Sequence, residues 1–326
     1  MAFTLAELDA AADLVHRHVP PTPQLAWPLL GSELGAQVWV KHENQTPTGA
    51  FKVRGGLVYA DRARRERPAV QGFVSATRGN HGQSLAYAGR AAGLRVVIVV
   101  PEGNSPDKNA AMEGFGAELI VHGRDFQEAR EYAAGLGEEL GLEPVPAFHP
   151  DLVLGVATYA RELFDAVGEA EPLDTVYVAV GMGSGICGLI GVRDLLGLPT
   201  EIVGVVSDLA PATALSFEAG EVRSTPDAAT FVDGVACRAP VAEAVAEMVR
   251  GAARVLAVSD DACAEAMRLM LRTTHQLPEP AGALALAGLM AERDRSAGKR
   301  VAVIQSGGNC DASILTEVLA GSTPRV

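Results

Sequence analysis

A rhythm in the chain constrains its fold more than any single residue does. Short, almost uninterrupted runs of β-branched and aliphatic residues alternate with alanine-rich stretches of helical length. The runs include Val38-Trp39-Val40, Val96 to Val100, Leu119-Ile120-Val121, Val176 to Val180, Ile202 to Val206 and Val301 to Ile304. Between them lie amphipathic segments such as Gln83 to Ala92 and Asp260 to Arg272. A strand that is apolar on both faces must be covered on both faces, and a helix between consecutive strands makes their pairing parallel. The pattern predicts an α/β fold of two domains, each a parallel-rich sheet flanked by helices. A length of 326 residues is enough for both. The strands between about 66 and 147 form one set and those after Thr175 a second. The turn-rich Glu143-Pro-Val-Pro-Ala-Phe-His-Pro150 reads as the crossing back between them. The expected division is a small domain at 66–147 and a large domain made of 1–65 and 148–326. A site is expected in the cleft between them, beyond the carboxyl ends of the strands.

Composition removes several classes of function. A formal net charge of -13 would be repelled by a phosphate backbone, so nucleic acid is not an expected partner. No apolar run approaches the ~18 residues of a membrane span, so no membrane partner is expected either. Met1 to Glu7 has neither a basic nor an apolar stretch, so a secretory signal is not expected. Cys187, Cys237, Cys263 and Cys310 are far apart, which fits a reducing cytoplasm better than a disulfide framework or a zinc cluster. Lysine is scarce. Only Lys41, Lys52, Lys108 and Lys299 could supply an amine for covalent chemistry.

Four stretches carry chemistry. Gly181-Met182-Gly183-Ser184-Gly185-Ile-Cys-Gly188 follows the strand Thr175 to Val180 and precedes a helical pattern from Leu189. Glycines at a strand-to-helix turn expose backbone N–H groups, and the helix end adds partial positive charge, which makes a phosphate cup. Gly183, Gly185 and Gly188 also spell G-x-G-x-x-G, and Asp208 lies about 20 residues further on, so dinucleotide binding is a rival reading. A simple tight turn is the third. In Lys41-His-Glu-Asn-Gln-Thr-Pro-Thr-Gly-Ala-Phe-Lys-Val-Arg-Gly-Gly56, Lys52 sits among Gly49, Ala50, Phe51 and Val53. A lysine near apolar surface has a lowered pKa and becomes a usable nucleophile and base, although a surface lysine opening a helix would read the same way. Ser75-Ala-Thr77-Arg78-Gly79-Asn80-His81-Gly-Gln83 again joins strand to helix, and its donors suit a carboxylate. Thr77 or Asn80 could instead cap the helix. Ser306, in Val303-Ile-Gln-Ser-Gly-Gly-Asn309, stands at a strand tip, as a free hydroxyl or as another cap.

Together these stretches resemble the fold-type II pyridoxal-phosphate enzymes of the threonine dehydratase and serine racemase group, from about residue 20 to 320. The resemblance implies pyridoxal 5'-phosphate as cofactor and Lys52, in Gly-Ala-Phe-Lys-Val-Arg-Gly, as the Schiff-base lysine. It implies that Phe51 packs on the pyridine ring and that Asn80 bonds the phenolic oxygen. Gly181, Met182, Gly183, Ser184 and Gly185 would hold the phosphate, Ser306 would face the pyridine nitrogen, and the Gly234 carbonyl would border the cofactor. Thr77, Arg78, Gly79, Asn80 and His81 would hold the substrate carboxylate. Glu279-Pro-Ala-Gly282 matches a further active-site segment of less defined role. His81 reads as a structural donor at the helix start, because Lys52 fills the role of base. Neither His42, His149, Cys187 nor Cys310 is assigned chemistry.

The implied reaction is β-elimination of a small β-hydroxy amino acid, such as threonine or serine, to a 2-oxo acid and ammonia. Lys52 would take the α-proton and the bound phosphate would protonate the departing hydroxyl. β-Replacement on the same fold, a dinucleotide-dependent oxidoreductase and a sensor without turnover are the alternatives. Arg78 departs from the family. Racemase-type members carry a serine base there, and an always-charged arginine cannot act as one. Little racemisation is therefore expected, and Arg78 would either grip a second anionic group, as in hydroxyaspartate, or form an internal ion pair. The wording around Lys52 and Asn80 also resembles a dehydratase of hydroxyectoine utilisation. Metal-binding members place acids where this chain has Val206 and Ala212, so no metal is expected. A C-terminal regulatory domain is not expected, and fold-type II relatives suggest a homodimer.

Overall fold

The computed structural model describes residues 3–168 and 171–325. Among them are ten strands in two sheets. In chain order they are β1 (Gln24–Ala26), β2 (Gln37–His42), β3 (Gly72–Ala76), β4 (Arg95–Val100), β5 (Glu118–Val121), β6 (Glu143–Pro144), β7 (Thr175–Ala179), β8 (Glu201–Ser207), β9 (Arg254–Val258) and β10 (Arg300–Gln305). The six-stranded sheet runs β1-β2-β10-β7-β8-β9 and the four-stranded sheet β5-β4-β3-β6. Every pairing is parallel except β1 with β2. The apolar runs named above are all strands, buried through their centres except Leu119–Val121 in the edge strand β5, which is partly exposed. Three short or weakly apolar strands escaped the reading: β1, β6 and β9. The segment expected to be a plain crossing holds β6, which pairs with β3 through Phe73–Glu143 and Val74–Pro144. A proline is tolerable there because β6 is an edge strand with its far side unpaired.

Strand order places the site. The Lys52 stretch follows β2, Ser306 follows β10 and the glycine stretch follows β7, and these strands are neighbours in the order β2-β10-β7. Their three carboxyl ends therefore meet at one edge of the large sheet. Asp208 follows β8, one strand further out, and is exposed.

Below that edge lies a charge network without solvent. Arg54 and Lys41 are fully buried, as is Glu43, and Glu162 is nearly so. The Arg54 guanidinium donates to Glu43 Oε2 at 2.7 Å and Oε1 at 3.0 Å, and to Glu162 Oε1 at 2.6 Å and Oε2 at 3.0 Å. Lys41 Nζ donates to Glu162 Oε2 at 2.5 Å, to the Thr22 carbonyl at 2.9 Å and to Gln24 Oε1 at 2.8 Å. The network ties β2 and the helix Lys52–Glu66 to the long helix Pro150–Val167. Those two helices cross almost backbone to backbone. A Cβ on Gly55 would lie 2.7 Å from the Leu152 carbonyl oxygen.

Removing one partner of such a buried pair leaves the other charge uncompensated, at a cost of about 3–5 kcal/mol. Arg54→Met is expected to lower unfolding free energy by that amount in guanidinium titrations. A loss well under ~1 kcal/mol would show that the network does not hold the helix.

Candidate active site

Lys52 opens the helix Lys52–Glu66, and the residues before it are stitched to the end of β10. Phe51 N donates to the Ser306 carbonyl at 3.0 Å, Gly308 N donates to the Gly49 carbonyl at 2.9 Å, and Ala50 bridges Gly307. This pairing sets Lys52 beside Ser306 although 254 residues of chain separate them. The amine of the half-buried Lys52 makes no hydrogen bond or ion pair among the described residues. Its Nζ lies 4.9 Å from the centroid of the Phe51 ring. Burial pushes its amine below the usual lysine range, partly offset by the negative charge of Glu279. Phe51 also meets Tyr159 edge to face at 6.0 Å, and Tyr159 Oη donates to the Gly185 carbonyl at 3.1 Å.

The glycine stretch differs from the expected loop. The helix Ser184–Leu195 begins inside it, so the turn is only Gly181 to Gly183. Gly183 has φ of 102°, a region that strains other residues. The other glycines serve close approach. A Cβ on Gly181 would stand 2.6 Å from the Gly234 carbonyl oxygen, and one on Gly188 would stand 3.2 Å from the Ala157 backbone. No side chain caps this helix, so its first N–H groups face the cleft end uncapped. Met182 lies 3.7 Å, sulfur to sulfur, from Cys237.

The opposite wall comes from the four-stranded sheet. Thr77, Arg78 and Gly79 follow β3, and the helix Asn80–Ala92 starts at Asn80. Thr77 Oγ1 accepts from Gly79 N at 3.3 Å, a local turn rather than a helix cap. Asn80 is held at both ends. Its Nδ2 donates to Glu279 Oε1 at 2.7 Å, and its Oδ1 accepts from Asn309 Nδ2 at 2.8 Å. One Nδ2 proton remains free. His81 is buried with Nε2 unpartnered, beside a cavity of about 10 Å³ that Lys52 and Ser184 also line. Burial and the charge on Lys52 push its pKa down to about 3. Ser306 is buried, and its hydroxyl makes no hydrogen bond among the described residues. Arg78 is exposed and makes no hydrogen bond or ion pair among the described residues, so its internal ion pair is absent. A larger hollow of about 250 Å³, lined by Asp9, Asp13, His16 and Glu162, gathers none of the residues singled out in the sequence apart from a rim of the charge network.

Other residues take structural roles. His42 accepts from Trp27 Nε1 at 3.0 Å and faces Gln305 Oε1 at 2.7 Å, and His149 caps the Pro150 helix. Val206 and Ala212 are buried core residues. The sequence reading missed Lys108 and Asp233, whose side chains pair across the cleft mouth at 2.5 Å, and left Glu279 without a role. The scarcity of lysine was the one signal pointing at Lys108.

Residues 15–307 match the family model described as pyridoxal-phosphate dependent enzyme. The chain belongs to that family. It is 28% identical over 319 residues to the L-threo-3-hydroxyaspartate ammonia-lyase of Saccharomyces cerevisiae, covering 98% of this chain and 97% of that one. It is 31% identical over 309 residues to the biosynthetic L-threonine dehydratase of Haemophilus influenzae, covering 93% of this chain but only 59% of that one. The solved structure of processed threonine deaminase isoform 2 from Solanum lycopersicum superposes with a TM-score of 0.89 at 26% identity, covering 98% of this chain and 94% of that one. The family is not a dinucleotide one, so the oxidoreductase alternative falls.

The residues present fit pyridoxal phosphate. An uncapped helix end behind a turn with two glycines, Gly181 and Gly183, suits a phosphate, an unpaired amine of lowered pKa suits an imine, and the Ser306 hydroxyl suits a ring nitrogen. The small cavity alone admits about one water, so the fit rests on donor chemistry and position. Incubation with pyridoxal phosphate followed by borohydride is expected to leave a stable adduct on the Lys52 peptide, and none in Lys52→Ala. An adduct mapped to Lys108 or Lys299 would refute the assignment.

Proposed function

We propose that this chain is a pyridoxal-phosphate-dependent ammonia-lyase that converts a small β-hydroxy amino acid to a 2-oxo acid and ammonia. The observation that carries the reading is the unpaired Lys52 amine of lowered pKa, lying between the glycine turn and the Asn80 loop. In this reading residues 1–65 and 148–326 are the large cofactor-binding domain and 66–147 the small one. The cofactor, when bound, supplies the electron sink. Phe51 and Ser306 fit its ring, Asn80 its phenolic oxygen, and Gly181, Met182, Gly183, Ser184, Gly185 and the Gly234 carbonyl its phosphate side. The backbone of Thr77 to His81, at a helix start, holds the substrate carboxylate. Lys52 takes the α-proton. It does so only as the neutral amine, so activity rises with pH through its lowered pKa and is present at lower pH than an ordinary lysine would allow. A cytoplasmic homodimer is the form we propose. The four cysteines, all unpaired, support the reducing compartment.

Arg78 favours a second reading within the same chemistry. An exposed guanidinium with no protein partner, in the loop that takes the α-carboxylate, is available to a second carboxylate. Hydroxyaspartate has one, and the yeast relative is named for that substrate. A panel of serine, both threonine diastereomers, hydroxyaspartate and phenylserine tests both readings by 2-oxo acid release. Arg78→Ala is expected to lower kcat/KM for hydroxyaspartate by about tenfold to a hundredfold more than for threonine, the worth of one charged hydrogen bond. An unchanged preference would remove the second reading. A loaded enzyme that releases no 2-oxo acid from any of the five would remove the first.

A further inference from the structure

Glu279 is a carboxyl group without a counter-ion in a cleft built for proton transfer. It is 3% exposed and stands just before the helix Pro280–Ala291. Its Oε1 accepts from the neutral Asn80 amide. Its Oε2 makes no hydrogen bond, and no lysine, arginine or histidine forms an ion pair with the group among the described residues. The carboxyl lies against Gly307, where a Cβ would collide with Oε1 and would stand 3.1 Å from Ala50 Cβ. It is thus on the wall that carries Ser306 and Lys52. The charged and titratable groups around it are Asp233, Lys108, Lys52 and Cys310. Burial raises its pKa most, Asp233 adds to this, and Lys108, the Asn80 hydrogen bond and Lys52 pull the other way, leaving it at about 7. A buried carboxyl poised near neutral pH is what a general acid requires.

We propose that Glu279 is the general acid that protonates the departing β-hydroxyl group. This rests on the lyase reading and replaces the phosphate as the source of that proton. The step balances. The α C–H bond breaks and its proton goes to the Lys52 amine. The electron pair forms the bond between the α- and β-carbons, the β C–O bond breaks with its pair on oxygen, and the Glu279 proton completes a water molecule. The Lys52 ammonium then returns a proton to the Glu279 carboxylate, so the net change is loss of water.

A leaving group that needs no proton separates this role from a positioning role exerted through Asn80. Elimination from serine requires protonation of oxygen, whereas elimination from β-chloroalanine releases chloride. The ratio of kcat/KM for serine to that for β-chloroalanine is expected to fall by about a hundredfold or more in Glu279→Gln. In the wild type, kcat for serine is expected to decline as pH rises through about 7, because the acid form is lost there, and β-chloroalanine is expected not to show that limb. Glu279→Asp, which keeps the acid but shortens its reach, guards against a misfolded variant and is expected to lower the ratio less. Infrared difference spectra of cofactor-free wild type and Glu279→Gln provide a readout independent of turnover: a carboxylic acid band titrating near neutral pH is expected only in the wild type. An unchanged substrate ratio, or a carboxyl already ionised at pH 5, would overturn the proposal. Wild-type enzyme that releases no 2-oxo acid from β-chloroalanine or from any of the five panel substrates would overturn the lyase reading, and this one with it.

Discussion

Two carboxylates clamped on Arg54 carry the constraint on which the site depends. A lysine that must act as a nucleophile and base cannot be pinned by an ion pair, because a facing carboxylate would keep its ammonium charged. The chain resolves this by anchoring a neighbour instead. Arg54 lies two residues beyond Lys52 on the same helix and so points away from the cleft, into Glu43 and Glu162. The helix is fixed in rotation and depth while the Lys52 amine, beside the Phe51 ring, forms no ion pair among the described residues. Replacing such a cluster by apolar residues could give equal stability, but not the same restriction on one rotation angle.

The cleft separates its charges in a similar way. Glu279 forms no ion pair among the described residues, while Lys108 reaches across the mouth to Asp233. Burial works against the Lys108 ammonium, yet the negative charges of Asp233, Glu279 and Asp311 outweigh it and raise its pKa, while Glu279 sits at about 7. The negative charge of Asp233 adds to burial in raising the Glu279 pKa, which is how one pocket can hold an ion pair and a proton donor together.

Much of this was legible in the sequence, for reasons that can be traced. Buried parallel strands must be apolar on both faces, so β4, β7, β8 and β10 announce themselves, whereas edge strands such as β1 and β6 have too few apolar positions to do so. Lys52, the glycine turn and Ser306 could be found because each follows a readable strand. What could not be read was any pairing over long separations between ordinary residue types: Asn80 with Glu279, Lys108 with Asp233, Arg54 with Glu162. No local pattern marks such partners; the first two arise where the two sheets face each other, and the third where the helices Lys52–Glu66 and Pro150–Val167 cross. The glycine stretch was read as one loop because composition does not tell a glycine needed for its torsion from one needed for contact. Gly183 is the first kind and Gly188 the second.

The polar stitches between the two sheets have a consequence in salt. Ser105 donates to Asp311 at 2.6 Å, and with the Lys108–Asp233 pair it fastens the helix Pro106–Gly114 to the far rim. Lys108 also runs beneath the loop around Gly79, where a Cβ would come within 3.1 Å of its Cδ. Widening the cleft at this rim would break both contacts. The rim is fastened by one ion pair whose lysine is largely buried and by one hydrogen bond, so dissolved salt, which screens exposed charges most, weakens it only slightly.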